Sequence, residues 1–288
     1  MQTGAAGAAG GALAGLLRGY STEVTARDRR SVDAAAELLP RGAEVFIAAI
    51  PGEGADLMVA AAARLRASGL IPVPHIAARN FAGLEEVERL LGRLRDEAGL
   101  DRLLALGGDR DRPEGELHSS RQLIESGLLQ KHGVGKVFIA CYPEGHPRIA
   151  DDVLEEVREA KLRIAAEAGL DATLLSQFCF EAGPIIALAE RLRAQGAGVP
   201  YRVGVAGPAA RATLVKYALM CGVGASLRAL KTRRDLASTL ISRETPEALL
   251  TEVAAAQQAS PALGISGVHF FTFGALAKSA EWAERMRR

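Results

Sequence analysis

Tyr142, Glu144 and His146 follow one another at alternate positions after the apolar run KVFIAC, with Pro143, Gly145 and Pro147 between and behind them. A phenol, a carboxyl and an imidazole are groups that exchange protons or hydrogen-bond a ligand. Comparable side chains recur at other apolar runs: Glu23 and Thr25 in STEVTARD, His75 in PVPHIAARN, Asp109 in LALGGDRDRPEG, Gln177 in LLSQFCF, and His269 and Thr272 in GVHFFTF. Burying a carboxylate, imidazole or amide without a partner costs several kcal/mol, and a shared ligand would supply the partners. Each residue also has a plain structural reading. Glu23 could sit in an interior ion pair, His75 could bond a core carbonyl, Asp109 could cap a turn, Gln177 could satisfy strand backbone, and for His269 structural hydrogen bonding is the better reading. Their convergence on one end of one kind of element favours a site.

Such residues need rigid supports. Short apolar runs at 20–26, 44–50, 70–76, 102–108, 136–142, 173–180, 201–205 and 266–272 read as strands. Amphipathic segments at 29–39, 54–68, 83–98, 119–130, 150–168, 183–196, 208–221 and 275–287 read as helices, with one or two more between 232 and 258. In GLEEVERLLGRLRDEAGL, acidic residues fill the first turn and Gly99 stands just past the end, which are start and stop signals. Strands separated by helices pair parallel, because a parallel neighbour needs a long crossover. Eight evenly spaced units, with no GxGxxG turn after the first strand, predict a (β/α)8 TIM barrel as a single domain over residues 19–288. In parallel α/β folds ligands bind at the carboxyl ends of strands, where these polar residues fall.

The Gly/Ala-rich opening, residues 1–18, is expected to be a mobile tail or a loose first helix. It lacks the basic start of a secretory signal, and Arg18 interrupts its uncharged run before a membrane span is reached. With 35 basic and 34 acidic side chains, the chain has no charge excess to draw it to nucleic acid or an anionic membrane. Cys141, Cys179 and Cys221 lack the spacing of a zinc site or disulfide framework, so no metal and a reducing, cytoplasmic setting are expected.

STEVTARD, PVPHIAARN, LLALGGDRDRPEG, FIACYPEGHP, LLSQFCFEAG and GVHFFTFGALAKSAEWA resemble, in order and spacing, the strand ends of bacterial single-domain methylenetetrahydrofolate reductases. The resemblance covers about residues 19–288, and its most specific elements are Tyr-Pro-Glu-x-His-Pro and Gln-Phe-x-Phe. It implies a barrel that carries FAD at its carboxyl face and passes hydride from NADH or NADPH through the flavin to 5,10-methylenetetrahydrofolate. The product would be 5-methyltetrahydrofolate, formed by ping-pong kinetics. It implies Glu23 as the general acid that helps open the imidazolidine ring, a step in which the leaving amine needs a proton. It implies Asp109 as a carboxylate near flavin and pterin, and Gln177 as an amide, with donor and acceptor both usable, that meets either substrate. The implied cofactor-binding positions are His75, Leu106, Gly108, Asp109, Tyr142 and His146, with Glu144 as loop structure. The implied partners are the folate and a nicotinamide nucleotide; assembly into a homo-oligomer stays open. The pathway would be methionine biosynthesis or recovery of one-carbon units from demethylation.

The chain departs from the family pattern at several points. Gly107 stands where Arg is usual, Val24-Thr25-Ala26-Arg27 replaces Phe-Phe-Pro-Pro, and Ala275 falls near an expected Arg. The helix DDVLEEVREAKLRIAAEAG does not reproduce the usual Asp, Asn and Lys, which leaves Arg158, Lys161 or Arg163 to meet a diphosphate or to serve as surface charges. These changes touch cofactor phosphates and the folate tail more than the hydride chemistry. Three other readings stand beside the flavoenzyme: direct hydride transfer without flavin, a folate-binding accessory subunit without turnover, and a metal-dependent aldolase or hydrolase using His75, Asp109 and His146.

Overall fold

The computed structural model describes residues 10–221, 223 and 243–288. Its strands are β1 (Ser21–Thr25), β2 (Glu44–Ala48), β3 (Ile71–Ala77), β4 (Arg102–Leu106), β5 (Lys136–Cys141), β6 (Asp171–Ser176), β7 (Tyr201–Ala206) and β8 (Ile265–Phe271). They follow the closed order β1-β8-β7-β6-β5-β4-β3-β2, the expected (β/α)8 barrel. A short antiparallel ribbon pairs Ala209–Ala210 with Arg243–Glu244.

Helices occupy Arg29–Leu38, Ala55–Ala67, Leu84–Ala98, Asp151–Glu167, Ala182–Ala194, Arg211–Met220, Glu247–Ala259 and Leu276–Met286. The rest of the expected 232–258 segment lies outside the described residues. The expected helix 119–130 is broken into Ser120–Glu125 and Leu128–Lys131, because Gly127 takes φ +72 and the Ser126 hydroxyl caps both pieces, donating to Leu123 O and accepting from Leu128 N. Residues 10–16, within the expected tail or loose first helix, are helical, and Leu13, Leu16 and Leu17 are buried. Among the described residues no helix is long and apolar enough to cross a membrane.

The chain divides into two compact units. One comprises Glu23–Ala140 with Glu155–Leu174. Here β2 pairs with β3, β3 with β4 and β4 with β5, all parallel. Val45, Phe46, Ile47, Val73, Ile76, Leu103, Val137, Phe138 and Ile139 are fully buried. Parallel strands covered on both faces read as continuous apolar runs, which is why EVFIA and KVFIA lack alternation. Each such side chain contributes about 1.5–3 kcal/mol by leaving water. Phe46 and Phe138 meet edge to face with ring centroids 4.9 Å apart.

The other unit comprises the described residues up to Thr22, Cys141–Leu154 and Leu175–Arg288. β8 pairs parallel with both β1 and β7. Phe270 is fully buried between Tyr20, at 5.5 Å, and Trp282, at 5.9 Å, both edge-on. Gly204 must be glycine: its N–H donates to Ser176 Oγ at 2.8 Å, and a Cβ would lie 2.2 Å from Ser176 O. His269 is fully buried, with Nδ1 2.9 Å from Ser21 Oγ, which also accepts from Arg202 Nη1 at 3.0 Å. That is the structural reading of this histidine.

Candidate active site

In the unit built on Glu23–Ala140, strand β3 continues two residues beyond His75, so this imidazole lies within the strand and not at its end. It is 8% exposed, stands edge-on to Phe46 at 5.9 Å, and its Nε2 has no hydrogen-bond partner. Burial lowers its pKa from 6.5 to about 4, so the ring is neutral near pH 7.

His75 lines a cleft of about 780 Å³, within the usual size of ligand sites. Its wall includes Ala26 after β1, Ala49 and Ile50 after β2, Asn80 after β3, and Arg110 and Glu114 after β4. The cleft therefore opens at the carboxyl ends of these strands. Asn80 Oδ1 is a second buried polar atom there without a partner. Most charges around the cleft are committed: Arg93 to Asp56 and Glu97, Arg110 to Glu114, and Glu53 to Arg27. Arg89 is exposed and has no ion-pair partner among the described residues.

The turn after β4 is stitched to the end of β3. Arg79 N–H donates to Gly107 O at 2.9 Å, Glu114 N–H to Arg79 O at 3.0 Å, and Arg79 Nη2 to Asp111 O at 3.3 Å. Gly108 takes φ +101, and a Cβ there would lie 3.3 Å from the Ala77 Cβ, so Gly108 lets the turn close on β3. Leu106 ends β4 opposite Ala77. Asp109 is exposed on this turn, and Arg110 and Glu114, not Asp109, are the residues that line the cleft. Glu23 lies in the middle of β1, half-buried, between buried Thr22 and Val24.

The other unit holds Tyr142, His146 and Gln177. β5 stops at Cys141 and β6 at Ser176, so Tyr142 and Gln177, expected within strands, are each the first residue beyond one. The two are brought side by side: Gln177 N–H donates to Cys141 O at 2.9 Å. Tyr142 and His146 rings meet edge to face at 5.1 Å. Gly145 N–H donates to Tyr142 O at 3.2 Å with φ +77 at Gly145, which turns the chain so that the rings meet. His146 Nδ1 accepts from Arg148 N–H at 3.2 Å, which puts the proton of the neutral ring on Nε2. Gln177 Oε1 accepts from Phe178 N–H at 3.0 Å, so its acceptor is partly used locally and the NH₂ end is the readier group for a ligand. Glu144 adds to the electrostatic rise in the Cys179 thiol pKa, whose main cause is burial.

The cations suggested for a diphosphate have polar neighbours of their own. Arg158 pairs with Glu155 at 3.7 Å and Glu159 at 4.0 Å, Arg163 with Glu167 at 3.9 Å, and Lys161 Nζ lies 3.4 Å from Ser120 Oγ. Two residues of the cleft wall, Asn80 and Arg89, were not singled out from the sequence. Asn80 carried a readable signal, a polar residue directly after a histidine-bearing strand; Arg89 looked like any other helix-surface charge. Among the described residues no three His, Cys, Asp or Glu side chains gather as a metal site.

Fold and cleft together define a (β/α)8-barrel protein with a cleft at strand carboxyl ends. The family model for methylenetetrahydrofolate reductase matches residues 30–275. The chain therefore belongs to the methylenetetrahydrofolate reductase family, enzymes of folate oxidoreduction. Solved structures with a similar chain path include dihydropteroate synthase (FolP) from Thermus thermophilus, 18% identical, covering 92% of this chain and 91% of that one, with a TM-score of 0.48. Another is 3-dehydroquinate dehydratase from Aquifex aeolicus, 11% identical, covering 93% and 96%, with a TM-score of 0.47.

Proposed function

We propose that this chain reduces 5,10-methylenetetrahydrofolate to 5-methyltetrahydrofolate with hydride from NADH or NADPH, relayed by FAD. The observation that carries the reading is the cleft at the ends of β1 to β4, lined by a buried neutral His75 whose Nε2 lacks a partner, in a chain of this family. Cleft volume and orphaned polar atoms fit a flavin ring, which needs flat apolar walls and a few hydrogen bonds at its edge. FAD, when bound, supplies a two-electron store that takes hydride from one substrate and gives it to the next.

The protein's own groups do the rest. Neutral His75 offers a hydrogen bond without adding a positive charge beside the flavin. On this reading the exposed Asp109, on the turn bonded to Arg79, accepts from an amino-pyrimidine edge. Glu23 gives its proton to the amine nitrogen released as the imidazolidine ring opens, and hydride then arrives at the resulting iminium carbon. Gln177 presents its NH₂ to the substrate. Tyr142 and His146 brace each other edge to face, with His146 oriented by Arg148 N–H, and offer the ligand a polar surface.

The test is NADH oxidation in the absence of oxygen with methylenetetrahydrofolate, with and without added FAD. Turnover that rises with FAD occupancy is expected. Turnover by protein that takes up no flavin in excess FAD would replace this reading with direct hydride transfer.

A further inference from the structure

We infer that Asn80 reads the pyrimidine edge of the flavin ring, its Oδ1 accepting the ring imide N–H beside His75. This rests on the flavin reading above and adds a residue that neither the family resemblance nor the sequence motifs assign.

Asn80 ends the 3₁₀ turn Ala78–Asn80, which follows β3 directly. Its neighbours are held from within and without: Phe81 N–H closes the turn on Ala78 O at 3.2 Å, while Arg79 N–H and O bond to Gly107 and Glu114 across the turn after β4. A side chain on so fixed a turn has little freedom to seek a partner. Asn80 Oδ1 nevertheless sits buried on the cleft wall without a hydrogen-bond partner. Buried acceptors left unmet cost free energy, so natural proteins retain them where something else completes them.

What completes it must bring a donor, N–H or O–H. A phosphate or carboxylate would set lone pairs against the Asn80 oxygen, which excludes the anionic parts of a dinucleotide or a folate tail at this point. His75 is neutral and offers one ring nitrogen to the same cleft, so the pair favours an uncharged edge with an N–H beside a carbonyl. Ala26, Ala49 and Ala77 supply small apolar walls that admit a flat ring. The isoalloxazine imide, one N–H flanked by two carbonyls, meets all three conditions.

The test compares riboflavin with its N3-methyl derivative, which lacks that N–H, by quenching of flavin fluorescence. Wild type is expected to prefer riboflavin by about tenfold, the size of one well-made buried hydrogen bond. Asn80→Leu is expected to bind the two flavins within about twofold of each other, and Asn80→Ser, which withdraws the oxygen but stays polar, does the same and serves if the Leu variant fails to fold. ADP is expected to bind wild type and variants alike. An undiminished riboflavin preference in the folded variants, or a loss confined to ADP, overturns the inference while leaving the flavin reading intact. Wild type that binds neither riboflavin nor FAD overturns the flavin reading itself, and this inference with it.

Discussion

The His146 ring stands edge-on to Tyr142, centroids 5.1 Å apart at 77°, while its Nδ1 accepts from Arg148 N–H at 3.2 Å. One imidazole thus braces a phenol ring and is itself oriented by backbone. The alternation Tyr142, Glu144, His146 does not act as three equivalent groups. The turn through Gly145 brings the first and third together.

His146→Phe keeps the ring contact and loses the Nδ1 acceptor; His146→Ala loses both. On the proposed role, FAD affinity falls a few-fold in the first and about tenfold or more in the second. Equal losses in titrations with FAD would mean that the ring contact with Tyr142 contributes nothing.

Glu23→Gln keeps the size of the side chain and removes the transferable proton. Reduction of the folate is expected to slow by about 10²–10⁴, with flavin reduction by NADH and folate binding unchanged. Rapid-mixing measurement of the two half-reactions checks this. Equal slowing of both would make Glu23 a structural residue.

His75 makes stability depend on pH in one window. Its folded pKa is about 4 against an ordinary 6.5, so as pH falls between those values the unfolded chain takes the proton first. Stability present above pH 6.5 is lost progressively down to about pH 4, by about 3 kcal/mol for this group. Urea unfolding across that range is expected to show a smaller decline in His75→Gln than in wild type. Identical declines would contradict the buried neutral ring.

Two glycines should respond oppositely to alanine. At Gly204 a Cβ would lie 2.2 Å from the Ser176 carbonyl oxygen and 2.7 Å from the Phe271 ring, so Gly204→Ala is expected to cost about 3 kcal/mol or more. At Gly92, inside helix Leu84–Ala98, the nearest atom would be His132 Cε1 at 3.5 Å, an ordinary contact. Gly92→Ala should therefore raise stability by about 0.5–1 kcal/mol. Thermal unfolding distinguishes them, and a mild effect at Gly204 would mean that β7 can shift from Ser176.

The strands were legible because a parallel strand covered on both faces is a continuous apolar run: EVFIA, RLLAL and KVFIAC each fall where expected. Helix Leu84–Ala98 was legible from its acidic first turn and from Gly99, which takes φ +58 past its end. The break at Gly127 was not, since an apolar period runs through it and glycine alone does not forbid a helix. Residues His75, Tyr142 and Gln177 stood out as polar groups at apolar runs, but their hydrogen bonds could not be read. That Gln177 Oε1 is met by Phe178 N–H depends on a turn conformation that composition does not encode. The sequence did not show that Arg158 and Arg163 each lie near a carboxylate of their own helix.

The central claim is that hydride pauses on a flavin bound by this chain. It is tested most directly by loading the protein with FAD, mixing it with NADH without oxygen, and then adding methylenetetrahydrofolate. NADH is expected to bleach the flavin stoichiometrically, and the folate to restore its colour with formation of 5-methyltetrahydrofolate. NADH oxidation coupled to folate reduction in protein whose flavin never bleaches, or which carries none, would contradict it.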